Sequence, residues 1–142
     1  MSEYKKSGTE LTDLVEHILE EHGNVLDKNI GKANIAYMYS MSATSRTAGR
    51  IQRPDGAWRL LTDYDYVMIV HKATWNEFDT EKRKALIFHE LMHIISDDDD
   101  RTIKWKLREH DVEEFIPVVK EYGLWTDNLK AFGNSIERYK HE

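Results

Sequence analysis

The residues in this chain best suited to chemistry are His89, Glu90 and His93, which form the pattern His-Glu-x-x-His. In an α-helix, positions four apart lie one above the other, so both imidazoles would project from one face and could bind a single zinc ion. Glu90 would lie about 100° further round the helix, beside the open coordination position of the metal. The pattern therefore predicts His89 and His93 as zinc ligands and Glu90 as a general base that takes a proton from water.

The residues around the pattern predict the helix that it requires. Asp79 or Thr80 can cap a helix that runs to about Ile95, and the acidic run 97–100 then ends it. We interpret that run as a solvated loop, because it lacks the spacing and the glycine of an EF-hand calcium site. The helix is central, since apolar residues surround it almost completely: Leu86, Ile87, Phe88, Leu91, Met92, Ile94 and Ile95.

A catalytic zinc ion usually has three protein ligands and a water molecule, so one more ligand is expected. His110 is the predicted third ligand, because enough chain separates it from His93 to turn through the acidic run and bring a second helix back over the site. A carboxylate in the segment 111–114 (Asp111, Glu113 or Glu114) is the alternative. His71, at the end of a predicted strand, is a further candidate.

The remaining pattern predicts an α+β fold in a single domain, residues 1–142. A helical stripe of apolar residues from Leu11 to Leu19 indicates an N-terminal helix, on which we interpret His17 and His22 as part of a solvated polar face. Residues 35–41, 49–53 and 58–70 favour a small antiparallel sheet, with a turn at 54–56. Helices are expected at about 104–122, with a break near Pro117, and at 126–139.

The composition limits the function classes. The formal net charge of −6 disfavours a protein that coats nucleic acid. With no cysteine, neither disulfides nor thiolate ligands can form, so any metal must be held by His, Asp or Glu. No apolar region follows Lys5 and Lys6, and no apolar run is long enough to cross a bilayer. We therefore expect no membrane contact and a cytoplasmic location.

The order of these elements resembles the zincin metallopeptidases, and especially the SprT-like group, in which a histidine after a short loop completes the site. The segment His110-Asp111-Val112-Glu113-Glu114-Phe115 is similar to that group's third-ligand segment, but it is one residue longer and lacks a glycine after the histidine. The segment 75–125 also resembles metallopeptidases encoded by phages. The resemblance implies a zincin-like fold and a zinc peptidase that acts on a peptide or protein substrate.

The resemblance also implies a mechanism. Zinc lowers the pKa of a water molecule to near 7, and Glu90 accepts the proton and then passes it to the leaving amine. In zincins an extended peptide pairs with the edge strand of the sheet, which makes the strand Tyr66–Val70 the expected substrate platform. The candidates for the oxyanion donor are Tyr122, Arg108 and His71.

Two alternative functions stay open. One is a SprT-like protease acting on proteins attached to DNA, since a predicted hairpin that is basic and aromatic could contact a nucleic acid through Arg46, Arg50, Arg53, Trp58 and Arg59. The other is a binding module of a phage, which would use a zincin scaffold to sequester a host partner without catalysis. Glu90 argues against the second alternative, because a structural metal site needs no general base.

Overall fold

A four-stranded sheet, a separate two-stranded hairpin and five α-helices make up the part of the chain that the computed structural model describes, residues 4–42, 48–99, 102–108, 116–123 and 125. The helices are α1 (Glu10–His22), α2 (Gly56–Leu61), α3 (Lys72–Glu77), α4 (Thr80–Met92) and α5 (Ile116–Tyr122), with a short 3-10 helix at Ile30–Lys32. The strands are β1 (Tyr4–Lys6), β2 (Ile35–Ser40), β3 (Gly49–Gln52), β4 (Tyr66–His71), β5 (Ile94–Asp99) and β6 (Thr102–Leu107). The predicted α+β class is confirmed.

The larger sheet has the strand order β1-β2-β4-β3, so β4 lies in its interior. β3 and β4 are antiparallel, but β2 and β4 are parallel, in register from Ile35 opposite Tyr66 to Ser40 opposite His71. The prediction of an antiparallel sheet was therefore wrong for this pair. The chain between β2 and β4 is long enough for the crossover that a parallel pair requires, and strand periodicity carries no sign of direction.

The predicted strand 58–70 forms only in its second half. Gly56–Leu61 is the helix α2, and the strand begins at Tyr66. Alanine, leucine and arginine in this segment favour a helix, whereas the apolar alternation of a strand starts only later. α2 leaves Trp58, Leu60 and Leu61 70%, 89% and 80% exposed.

α4 passes through the core and begins where the sequence predicts. The carboxylate of Asp79 accepts a hydrogen bond from the backbone N–H of Lys82 at 2.9 Å, which caps the first turn. Side chains of α4 are buried almost all round the helix from Ala85 to Met92, against α1, α5 and the sheet. The helix ends at Met92, earlier than the predicted Ile95, because Ile94 already pairs in β5.

The hairpin of β5 and β6 replaces a predicted loop and the first half of a predicted helix. Its strands pair from Ile94 opposite Leu107 to Asp99 opposite Thr102, so the predictions of a loop at 97–100 and a helix from Lys104 were wrong over the described residues. The missed signal is the alternation of apolar and lysine residues over 103–107. Of the helix predicted at 104–122, the part seen as a helix is α5. It ends at Tyr122, and the next residue, Gly123, has a positive φ of 68°. The predicted helix 126–139 lies outside the described residues.

In the described ranges, every helix is too short or too polar to cross a membrane.

Candidate metal centre

Three potential ligands converge at the end of α4. One ligand atom each from His89, Glu90 and His93 lies within 4.8 Å of the other two. The two imidazole rings are 5.1 Å apart between centroids and inclined by 74°. The carboxylate oxygen Oε1 of Glu90 lies 3.7 Å from Nε2 of His89, and the Glu90 side chain is only 3% exposed. The predicted convergence on one helix is thus confirmed as geometry.

His93 is oriented by the chain that leaves the hairpin. Its Nδ1 lies 2.7 Å from the carbonyl oxygen of Arg108. Because a carbonyl can only accept, Nδ1 must donate, and Nε2 then carries the lone pair that a metal requires. The backbone N–H of Arg108 donates in turn to the carbonyl of His93 at 2.7 Å. This pair of contacts fixes the ring in the way that hydrogen bonds to metal-binding histidines usually do.

Aromatic rings line the site beside His89. Its imidazole meets the ring of Trp125 edge-on at 6.4 Å, and Trp125 meets Phe78 edge-on at 6.1 Å. Phe78 follows α3 directly and packs against the core. Trp125 therefore contributes one wall of the site.

The donor chemistry fits a divalent transition-metal ion. Two imidazoles are ligands typical of zinc and its neighbours, and a cation close by would offset the cost of burying the Glu90 carboxylate. Of the histidines that the structure describes, only His89 and His93 join this group.

His71, a candidate ligand and oxyanion donor, does not join the cluster among the described residues. The opposite end of its strand faces the hairpin, where the hydroxyl of Tyr66 donates to the carbonyl of Lys106 at 2.6 Å. His71 is five residues further along β4, about 17 Å away. Its side chain is buried, neither ring nitrogen has a hydrogen-bond partner in the described ranges, and burial followed by the charge of Arg50 lowers its pKa.

The other predicted ligands, His110 and the carboxylates Asp111, Glu113 and Glu114, lie outside the described residues. Of the remaining oxyanion candidates, Arg108 contacts the site through its backbone, and Tyr122 has its described ring contacts with His22 and Phe88.

Sequence reasoning missed the network that holds the hairpin next to His93. The carboxylate of Asp27 accepts hydrogen bonds from the backbone N–H of Ser96 at 3.0 Å and from its hydroxyl at 2.5 Å. The amide of Asn29 donates to the Ser96 hydroxyl at 3.1 Å and to Asp98 at 2.8 Å. Nothing in the sequence signals these contacts, because they join segments almost 70 residues apart.

The arginines of the predicted basic hairpin lie on β3 and around α2 instead. Arg53 donates to the carbonyls of Trp105 and Asp65, and Arg59 donates to the carbonyl of Pro54. Arg46 lies outside the described residues. Contact with nucleic acid stays a prediction.

Comparison with known proteins adds one family. No curated protein and no solved structure matches the chain significantly. Residues 2–136 match the family model described as "Putative phage metallopeptidase", and this stretch includes the whole His-Glu-x-x-His cluster. Because the match spans nearly the full chain and the described side chains converge as a metal site requires, this chain belongs to that phage metallopeptidase family.

Proposed function

We propose that this protein is a zinc peptidase, in which His89, His93 and His110 bind the metal and Glu90 is the general base. One observation carries the proposal, the convergence of His89, Glu90 and His93 at the end of α4 in a member of a metallopeptidase family. A family of this kind favours a peptide or protein substrate.

His110 is supported as the third ligand by the position of Arg108. The carbonyl and the N–H of Arg108 both bond to His93, so the chain is at the site two residues before His110. At most about 7 Å of chain separates Arg108 from position 110, and this short separation supports the proposal that His110 is the third ligand. The chain returns to the site through the hairpin of β5 and β6, whereas the sequence had predicted a second helix in that position. Asp111, Glu113 and Glu114 stay as the alternatives.

Glu90 is placed to move a proton. A bound zinc ion would lower the pKa of a water molecule and polarise the substrate carbonyl. The Glu90 carboxylate, 3.7 Å from a nitrogen of His89, would accept a proton from water and return it to the leaving nitrogen of the cleaved peptide bond. Its burial keeps bulk water from competing for the proton.

β3 replaces β4 as the proposed substrate platform. β4 is paired on both sides, by β2 and β3, so it has no edge to offer and the earlier assignment was wrong. β3 is the last strand of the sheet, and a Cβ atom at Gly49 would lie 3.6 Å from Cδ1 of Leu86. Leu86 precedes His89 by about one helical turn, so β3 packs on the helix that carries the metal cluster. An extended peptide added to β3 would lie close to Glu90.

The substitution Glu90→Gln tests this function. Glutamine keeps the size of the side chain but cannot accept the proton, so cleavage of an unfolded protein should fall by about 10²-fold or more while the zinc content is unchanged. Glu81→Gln is the matched control, because Glu81 lies in the first turn of the same helix with its side chain 72% exposed. The control should cleave like the wild type.

Equal cleavage by Glu90→Gln and wild type would overturn the mechanism. For a module that only sequesters a partner, Glu90→Gln should keep its full biological effect in the cell, whereas a peptidase should lose it. Cleavage and cellular effect together separate the two functions, and unchanged zinc content shows that the metal site is intact.

A further inference from the structure

A second cluster of histidine and glutamate lies between the end of α1 and α5. One ligand atom each from Glu21, His22 and Glu121 lies within 4.8 Å of the other two. Nε2 of His22 is 3.5 Å from a carboxylate oxygen of Glu21 and 4.0 Å from one of Glu121. These separations lie within the range of an ion pair but at or beyond the limit of a hydrogen bond.

The His22 ring is fixed so that it faces the two carboxylates. It stacks on Phe88 with centroids 4.4 Å apart and planes inclined by 8°, and it meets Tyr122 edge-on at 6.1 Å. The side chain is 13% exposed, and Nε2 itself is buried without a hydrogen-bond partner among the described residues. An immobilised, buried nitrogen of this kind indicates a ligand that completes its coordination.

Negatively charged side chains surround the cluster. Burial, and then the negative charges of Glu21, Glu121 and Glu81, raise the pKa of Tyr122 well above its usual range. A cavity of about 610 Å³ opens at the cluster and is also lined by Lys120. Lys120 is a flexible side chain on the exposed surface, and it can leave the cavity when a cation enters.

We propose that Glu21, His22 and Glu121 bind a second divalent transition-metal ion, separate from the ion at His89 and His93. Ligand atoms about 2.1 Å from a tetrahedral zinc ion lie about 3.4 Å from each other. The separations of 3.5 and 4.0 Å therefore need only small side-chain movements to accept the ion. One imidazole and two carboxylates suit zinc, cobalt or manganese.

The ion would join two helices that are distant in the sequence. Glu121 is on α5, which follows the segment 109–115, and Arg108 anchors the start of that segment to His93. Metal at the second site would therefore hold the α5 flank of this segment, and the bonds of Arg108 to His93 hold the other flank. His17, whose Nε2 lies 2.7 Å from the other oxygen of Glu21, would keep that carboxylate in place.

Zinc stoichiometry tests this site on the full chain. After chelation and titration with zinc, the wild type should bind two ions, and Glu121→Gln should bind one, with the second affinity weakened by more than about 10-fold. Glu20→Gln is the matched control, since it removes the same charge from the exposed face of α1, and it should bind two ions. Circular dichroism of each variant checks the fold. We expect Glu121→Gln to stay folded, because the Glu121 side chain is half-exposed.

The proposals for the two metal sites can be overturned separately. If the wild type and Glu121→Gln both bind one ion with equal affinity, the second site is overturned while the zinc peptidase stands. The double variant His89→Ala, His93→Ala provides the converse measurement. It should still bind one ion, which Glu121→Gln should then remove, and binding of no ion by a folded double variant would also overturn the second site.

Discussion

One cluster of histidine and glutamate is formed by α4 itself and the other packs on Phe88 of the same helix, yet only the first could be found from the sequence. His89, Glu90 and His93 belong to one helix, where local periodicity determines which side chains meet. Glu21, His22 and Glu121 come from opposite ends of the chain and meet only because α1 and α5 both pack on α4. The interpretation of a solvated polar face holds for His17, which is 40% exposed, and was wrong for His22.

Loss of the proposed third ligand should separate the two clusters most strongly. His110→Ala should weaken zinc binding at His89 and His93 by more than about 10-fold and reduce cleavage accordingly. Removal of a metal ligand weakens binding more than removal of a residue that hydrogen-bonds to a ligand. The second cluster should keep its ion. Zinc titration of the folded variant measures both.

Unchanged zinc affinity in His110→Ala would place the third ligand elsewhere. Glu113→Ala and Glu114→Ala would then be compared by zinc content.

The hairpin should matter to the first cluster alone. Asp27→Ala removes two hydrogen bonds to Ser96 and should destabilise the fold by about 1–3 kcal/mol. It should also weaken zinc binding at His93 by up to about 10-fold, because the hairpin orients that ring through Arg108. Urea denaturation and zinc titration measure the two effects, with the exposed Asp63→Ala as the control.

An Asp27→Ala protein with wild-type zinc affinity at the first cluster would show that the hairpin does not orient His93.

Glu10, at the start of α1, should affect stability without distinguishing the clusters. Its carboxylate accepts hydrogen bonds from the Tyr39 hydroxyl at 2.6 Å and from the Trp75 indole at 2.7 Å, and these bonds lower its pKa below the usual 4.5. The stabilisation is complete above about pH 4.5 and is lost as the pH falls through the lowered pKa of the folded state. Because the side chain of Glu10 is 43% exposed, we expect it to contribute only about 1 kcal/mol to the free energy of unfolding.

The free energy of unfolding of Glu10→Gln should therefore lie below that of the wild type at pH 7 and approach it in acid. A constant difference between pH 7 and pH 3 would contradict this account.

Local features of the sequence predicted α4 and its cluster, because capping by Asp79 and the spacing of His89 and His93 act within one helix. The parallel pairing of β2 with β4 and the hairpin at Ile94 were not predicted, since strand pairing depends on residues far apart in the chain. The contact of Arg108 with His93 uses a backbone carbonyl, which every residue type carries. Side-chain identity therefore gave no sign of it.

Metal depletion shows whether the proposed peptidase activity depends on a metal ion at His89 and His93. Cleavage of an unfolded protein would be measured after chelation and again after zinc is restored, in the wild type and in Glu90→Gln. We expect no cleavage by the depleted wild type, full recovery with zinc, and a rate at least about 10²-fold lower in zinc-loaded Glu90→Gln. Cleavage that persists at the same rate without metal would contradict the account.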